Sequence, residues 1–508
     1  MLLKRERLKG KLTPSPFPFP PSPTSARSLL IKRFLSTLMT VPIASSSCWL
    51  ARPLHAQITA YCQFSADAIA QKESLLASSL KGSANAQKEY QAIVQKHADW
   101  LRQCRANTWP QEQAIWLRLY PCDVRPGAID AILDRIVNRG YNAVYVETFG
   151  DSQVLLPPAN NPTSWDPVVK ARGAENVDLL AQTIEKGRAR GLKVYAWLFT
   201  MNFGYVYAQR RDRQNVLARN GQGETSIAVV DDQSQAFIDP YHPQAQEDYA
   251  RVLVEILKRR PDGVLFDYVR YPRGTGERSA ADDVKDLWIF GEASRQALYN
   301  RAQNNKGRAL IERYLDRGRI SAADVAAVNK MYPDEGAPSW QGRTSSSESV
   351  QQLNWDLWQL SVAHAAQGVL DFVSLAAYYV ERQGIPAGAV FFPEANQVVG
   401  RGGYDSRLQA WDKFPASMEW HPMSYAICGN ANCIVEQVKR VRSMAPSQTL
   451  VAPVLAGFWG RSYNNRPSLE EQMQGIRAAL PQVNSVSHFA FPSIEPEFDR
   501  ERRFCKLQ

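Results

Sequence analysis

From Gln113 onward the chain alternates short apolar runs with amphipathic stretches of helical period, and this rhythm constrains the fold more than any other feature. The apolar runs fall at residues 114–120, 143–147, 193–198, 264–266, 387–392, 418–425, 449–455 and 486–491. Between the first two, Ile129, Ile132, Leu133, Ile136 and Val137 recur at helical spacing, and Gly140 ends that helix. A helix over 177–190 stops at Gly191. Pro243 opens another, whose apolar face is Val252, Leu253, Ile256 and Leu257. Residues 351–383 read as one long helix, with 371–379 open to a strand reading, and Ser468 with Glu471 forms a capping box ahead of the last strand. Eight strands alternating with helices predict a (β/α)8 TIM barrel, a fold that takes about 250 residues. The span is longer here because residues 273–349, charged and partly helical, read as an insertion after strand four, with a lid over that strand end as its expected role. A doubly wound open sheet is the alternative, but no glycine-rich phosphate loop follows the first strand.

Two segments precede the barrel. Residues 1–56 hold nine Lys/Arg and one Glu, so most of the net charge of +10 lies there and the remainder is close to neutral. A concentrated basic face for nucleic acid is therefore not expected. The six prolines of residues 13–23 exclude a helix interior. Lys32-Arg33, a broken apolar stretch over 34–50 and a small residue at Ala56 then read as an export leader, its start codon expected downstream of Met1. No other stretch reaches about 18 uninterrupted apolar residues, so no membrane span is expected beyond an uncleaved leader. Residues 57–80 and 84–106 read as a helical hairpin turning at Lys81-Gly82-Ser83 within a 57–110 segment; the barrel is placed at 111–499 and a tail at 500–508.

Removal of the leader leaves six cysteines, an even count that suits an oxidising, periplasmic or extracellular setting. Cys62 and Cys104 lie at similar distances either side of the hairpin turn, so antiparallel helices bring them together. Cys428 and Cys433 close a short loop. Metal ligation is the competing reading, but no His or second Cys pair sits at zinc-site spacing, so no metal is expected.

In a barrel the carboxyl ends of the strands converge on one site. Those ends carry Arg118 and Tyr120; Glu147 and Asp151; Trp197 and Asn202; Asp267, Tyr268 and Arg270; Glu394; His421 and Tyr425; Trp459; and Glu495. Aromatic faces stack on sugar rings, and carboxylates bind hydroxyls or, as a flanking pair, cleave a glycosidic bond. Asp267 and Glu394, after neighbouring strands four and five, are the expected catalytic pair. Arg270 is expected to orient Asp267, with Phe391 and Phe392 raising the Glu394 pKa. Arg118, Glu147, Asp151, Trp197, Tyr268, His421, Tyr425 and Trp459 are expected to line the substrate site. Competing readings stand beside these: Asp267 as a turn cap, Glu394 as the start of a loop, Glu147 as a salt-bridge partner of Arg118, Trp197 as core packing, and His421 and His488 as structural histidines. Neither a metal-hydrolase histidine pair nor a Gly-x-Ser-x-Gly elbow is present, and no cofactor is expected.

Residues 237–243 (FIDPYHP), 262–272 (DGVLFDYVRYP), 389–393 (AVFFP) and 421–425 (HPMSY) resemble, in content and order, the glycosyl-hydrolase-like 10 family of exported bacterial barrel proteins, over about residues 113–492. The resemblance implies a barrel distantly similar to α-amylase and α-galactosidase enzymes, a nucleophile at Asp267 and a general acid at Glu394. It also implies a glycan partner, with peptidoglycan strands the substrate class of some members. The second-strand segment departs from the family, reading VETFGDSQVLLP over 146–157 without the usual Arg and Tyr. The expected function is an exported glycoside hydrolase acting on cell-wall or other extracellular glycan. A non-catalytic glycan-binding barrel and a structural envelope protein are the alternatives.

Overall fold

The computed structural model describes residues 61–507. The leader expected over residues 1–56, and residues 57–60 expected to open the hairpin, lie outside the described residues.

Eight parallel strands form the central sheet: β1 (Glu112–Leu117), β2 (Ala143–Gly150), β3 (Lys193–Phe199), β4 (Gly263–Asp267), β5 (Ala387–Phe391), β6 (Glu419–Pro422), β7 (Val454–Ala456) and β8 (Ser485–Phe489). Their order is β6-β5-β4-β3-β2-β1-β8-β7. Parallel bridges Trp420↔Val451 and Met423↔Val454 join β6 to β7 and close the ring. The fold is a (β/α)8 barrel, as the rhythm predicts. Strand ends differ by a few residues. β1 stops at Leu117 because Pro121 opens a 3-10 turn over Pro121–Val124. β7 is shorter than the 449–455 run, which Pro453 interrupts with no N–H to donate.

Side chains alternate across the strands. Ala114, Trp116, Ala143, Tyr145, Tyr195, Trp197, Phe199, Leu265, Val390 and Val454 fill the barrel interior, while Ile115, Val144, Val146, Val194 and Leu198 pack outward against helices. Two glycines make room for this filling. A Cβ at Gly263 would lie 2.2 Å from the Tyr195 ring, and one at Gly388 2.7 Å from Leu265.

The hairpin consists of α1 (Ala66–Leu80) and α2 (Ala84–Asn107). It docks through buried Arg105, which donates to the carbonyls of Gly140, Tyr61 and Pro110 and to Gln113 at 2.7–3.0 Å. The outer layer continues with α3 (Ala128–Asn138), α4 (Leu179–Ala189) and α5 (Pro243–Leu257). The insertion supplies α6 (Glu292–Tyr299), α7 (Asn305–Arg317) and α8 (Ala322–Met331) and leads into α9 (Val350–Glu381). α9 is long and apolar enough to cross a membrane by length and composition, yet 72% of its apolar window is buried inside the fold. The strand alternative for 371–379 is thereby settled as helix. The β5–β6 connection carries no α-helix; there Trp411 stacks on Phe391 at 4.8 Å and fills the space. α10 (Asn432–Met444), α11 (Leu469–Ala479, with the Ser468/Glu471 capping box) and α12 (Pro496–Phe504) complete the layer.

Three disulfides join Cys62 to Cys104, Cys428 to Cys433 and Cys122 to Cys505. The last ties the C-terminus to the end of β1, a pairing 383 residues apart that spacing does not disclose. Such a set suits an oxidising, extracytoplasmic environment.

Candidate active site

The apolar run of β4 carries Asp267 to the carboxyl mouth of the barrel, level with Phe199 of β3. There the chain turns through a left-handed residue, Tyr268 (φ 53°), a conformation rare for a large side chain. The turn brings the Tyr268 N–H back onto Oδ1 of its neighbour at 2.7 Å, while Trp197 Nε1 donates to Oδ2 at 3.1 Å. Burial raises the Asp267 pKa; the Tyr268 N–H, Arg270, Trp197 and Arg118 oppose that rise in decreasing order.

Glu147 lies on β2 beside Trp197 of β3, where a bulge shifts the register before Phe149. Arg118, just past β1, donates from Nε to Glu147 Oε2 at 2.7 Å, with Nη2 3.8 Å from Asp151 Oδ2. Its guanidinium also lies over the Trp197 ring, 5.6 Å from the centroid. The ion pair and a raised carboxyl coexist: burial first, then the charges of Asp151 and Asp267, push Glu147 to about 7 against the pull of Arg118. Trp197 is at once interior packing and a ligand of Asp267. Tyr425 completes this wall; burial, then the Asp267 charge, raises its phenol well above the usual value.

Arg118, Glu147, Asp151, Trp197, Asp267, Tyr268 and Tyr425 are thus brought together. Arg270 is near, but makes no ion pair with Asp267 among the described residues; its guanidinium stacks on Tyr268 at 4.7 Å. Glu394 lies 3.6 Å from Arg407 Nη1 and accepts from Gln437 of α10 at 3.4 Å, and no hydrogen bond or shared ion pair joins it to Asp267 among the described residues. These polar partners stand where Phe391 and Phe392 were expected to set its environment. His421 lies inside the barrel below the mouth, bonded to Glu419 at 3.2 Å and edge-on to Tyr145. Trp459 packs outside β8, donating to the Tyr141 hydroxyl at 3.1 Å beside His488.

Three further strand-end residues serve the fold. Tyr120 donates to Asp499, Asn202 accepts from the N–H groups of Gly204 and Ala236, and Glu495 pairs with Arg135 and Arg139. Sequence reasoning missed Phe199, which packs on Tyr268 at 4.3 Å, although the strand alternation that marks Tyr195 and Trp197 as inward also marks it. Arg407 carries no such signal, because its loop has no period. Among the described residues no cluster of His, Cys, Asp and Glu forms a metal site.

Residues 97–302 match the model of the family described as glycosyl hydrolase-like 10. The match runs from α2 through β4 into the insertion, so it is shorter than the resemblance over about 113–492, and the segments at 389–393 and 421–425 lie beyond it. No curated protein matches the chain. Among solved structures, the chain is similar to the PgaB (BpsB) glycoside hydrolase domain from Bordetella bronchiseptica, at 15% identity and TM-score 0.44, covering 78% of this chain and 99% of that one. It is similar also to the β-amylase catalytic domain from Paenibacillus polymyxa (9%, TM-score 0.46, 75% and 92% covered) and to a GH18 chitinase from Pseudoalteromonas aurantia (10%, TM-score 0.36, 77% and 97% covered). The barrel assignment itself rests on strand order and closure. The stretch that matches the glycosyl hydrolase-like 10 model, residues 97–302, carries Arg118, Glu147, Trp197 and Asp267.

Proposed function

We propose that the protein is an exported glycoside hydrolase that cleaves cell-wall, peptidoglycan-type or other extracellular glycan with two carboxyl groups. The observation that carries this reading is the pair Asp267 and Glu147, linked at the barrel mouth because Trp197 donates to Asp267 and lies under the Arg118 that pairs with Glu147; both carboxyls have raised pKa values. Asp267 acts as nucleophile, or as general base if the reaction inverts. It accepts from a backbone N–H and an indole N–H, which fix its orientation. Glu147, at about 7, is the proton donor: it stays partly protonated near neutrality, the condition a general acid needs. Glu147 takes this role in place of Glu394 because the Asp267 charge acts on Glu147, whereas Glu394 is held by Arg407 and Gln437. Tyr268 and Tyr425, partly exposed at the mouth, supply apolar faces for sugar rings. Three disulfides support the exported setting.

The test incubates the purified protein with peptidoglycan strands and a polysaccharide panel, reading product masses beside Asp267→Asn, Glu147→Gln and Glu394→Gln. Fragments from the wild type, lost in Asp267→Asn and strongly reduced in Glu147→Gln, are expected. A larger loss in Glu394→Gln than in Glu147→Gln returns the acid role to the fifth strand. Binding of glycan without fragments from any protein makes this a binding barrel, a reading the closed Arg118–Glu147 ion pair favours.

A further inference from the structure

Beside the two carboxylates, three arginines gather round one ring. The guanidinium carbons of Arg407, Arg270 and Arg273 lie 4.5, 5.8 and 5.9 Å from the centre of Phe392, the residue that follows β5. Arg270 is buried, yet among the described residues it has no ion pair, and its one hydrogen bond runs from Nη1 to the Tyr271 carbonyl at 2.9 Å. Arg273 is exposed and has neither a hydrogen bond nor an ion pair among the described residues. Arg407 is 3% exposed. Asp405 takes its Nε and Nη2, each at 2.7 Å, while its buried Nη1 makes no hydrogen bond and pairs with Glu394 Oε1 at 3.6 Å.

A buried guanidinium such as Arg270, which feels the charge of Asp267 but makes no direct ion pair with it, is costly and has room for a further anionic partner. The nearby carboxylates are engaged. Asp405 and Glu394 are taken by Arg407, Glu394 also by Gln437 and the charge of Arg440, and Asp267 by Tyr268 N–H and Trp197. Arg270 and Arg273, which make no ion pair among the described residues, are left facing the ring that Arg407 also stacks on.

We propose that this rim binds the carboxylate of an acidic sugar, and hence that the glycan substrate is anionic. The inference rests on the glycan-cleaving reading above and names the substrate class for that site. Planar guanidinium forks match a carboxylate in two-point geometry, and Phe392 offers the flat face beneath it. Because Arg270 also stacks on Tyr268, the acidic sugar would sit next to the bond that Asp267 attacks.

The experiment titrates the full protein calorimetrically with hyaluronan oligosaccharides, oligogalacturonate and peptide-free peptidoglycan strands. Each is paired with its carboxyl-reduced counterpart, and turnover of every probe is followed in parallel. At least one acidic probe is expected to bind about tenfold or more tighter than its reduced form, the scale of one charge-assisted contact. Arg273→Gln, an exposed change that leaves the core intact, is expected to collapse that ratio toward one, and Arg407→Gln to lower it as well. Equal affinity for acidic and reduced forms, or a preference unchanged in Arg273→Gln, overturns the proposal while leaving glycan cleavage standing. Neither binding nor turnover of any probe overturns the glycan-cleaving reading, and the inference falls with it.

Discussion

Asp267 and Glu147 differ in what holds them, and their variants separate accordingly. Removing the charge of Asp267 as Asn keeps its shape, so turnover is expected to fall by about 10²–10⁴ with glycan binding retained, as read by initial rates beside calorimetric titration. Glu147 adds a signature of its own. Its folded pKa of about 7 stands above the ordinary carboxyl value of 4.5, so the folded protein holds the proton more tightly than the unfolded chain. That stabilisation is complete below about pH 4.5 and is lost as pH rises through 7. Glu147→Gln is thus expected to be more stable than wild type at pH 8, by up to about 3 kcal/mol, with the gap closing toward pH 4.5. Denaturant midpoints at several pH values read this directly, and a pH-independent gap contradicts it. Activity that requires protonated Glu147 declines over the same interval around pH 7.

The place of Asp267 at the barrel mouth was legible because an apolar run ending in a carboxylate, an arginine and tyrosines marks a strand emerging there. Arg118 and Glu147 were legible as a pair on adjacent strands, but the burial of Glu147 was not, and burial raises its carboxyl pKa despite the salt bridge. His421 and Trp459 were misplaced for a different reason. Two-residue alternation puts His421 on the same face as Glu419, but how deep that face lies in the barrel depends on stagger between strands. Trp459 follows β7 in sequence, yet its indole finds the Tyr141 hydroxyl on the outside of β8.

At the scale of elements, the hairpin and the interior glycines make the sharpest cases. The Cys62–Cys104 bridge closes a loop with a sequence separation of 42. In the chain-entropy account this stabilises by about 4 kcal/mol, so a Cys62→Ser/Cys104→Ser variant is expected to lose close to that amount in chemical denaturation. Gly263 in β4 is constrained by Tyr195, whose ring a Cβ would overlap. Gly263→Ala therefore forces Tyr195 to shift, and a loss of about 1–3 kcal/mol is expected in thermal or denaturant unfolding.

For the molecule as a whole, the insertion is integral to the body. Leu298, Leu310, Ile311, Leu315 and Trp340 share one hydrophobic cluster with Leu353 and Leu357 of α9 and with the barrel's outer layer. Buried Asp239, ahead of α5, accepts from Ser294 N and Oγ at 2.9 and 2.7 Å, pinning α6 in place. Insertion and barrel are expected to unfold in one calorimetric transition, with no protease cut between 290 and 345 under native conditions; an early cut there, leaving the barrel folded, contradicts this.

The chain's local chemistry alone determined the alternation of strands and helices, the barrel, the hairpin with its cystine and the position of Asp267, because each depends on periods and spacings within a few dozen residues. Tertiary structure alone decided which strand-end side chains share a space. It set Glu147 beside Trp197 and Asp267, sent Glu394 to Arg407, joined Cys122 to Cys505 and gathered three arginines round Phe392. Those outcomes turn on burial and on contacts between residues far apart in sequence, quantities that exist only once the ring of strands has closed.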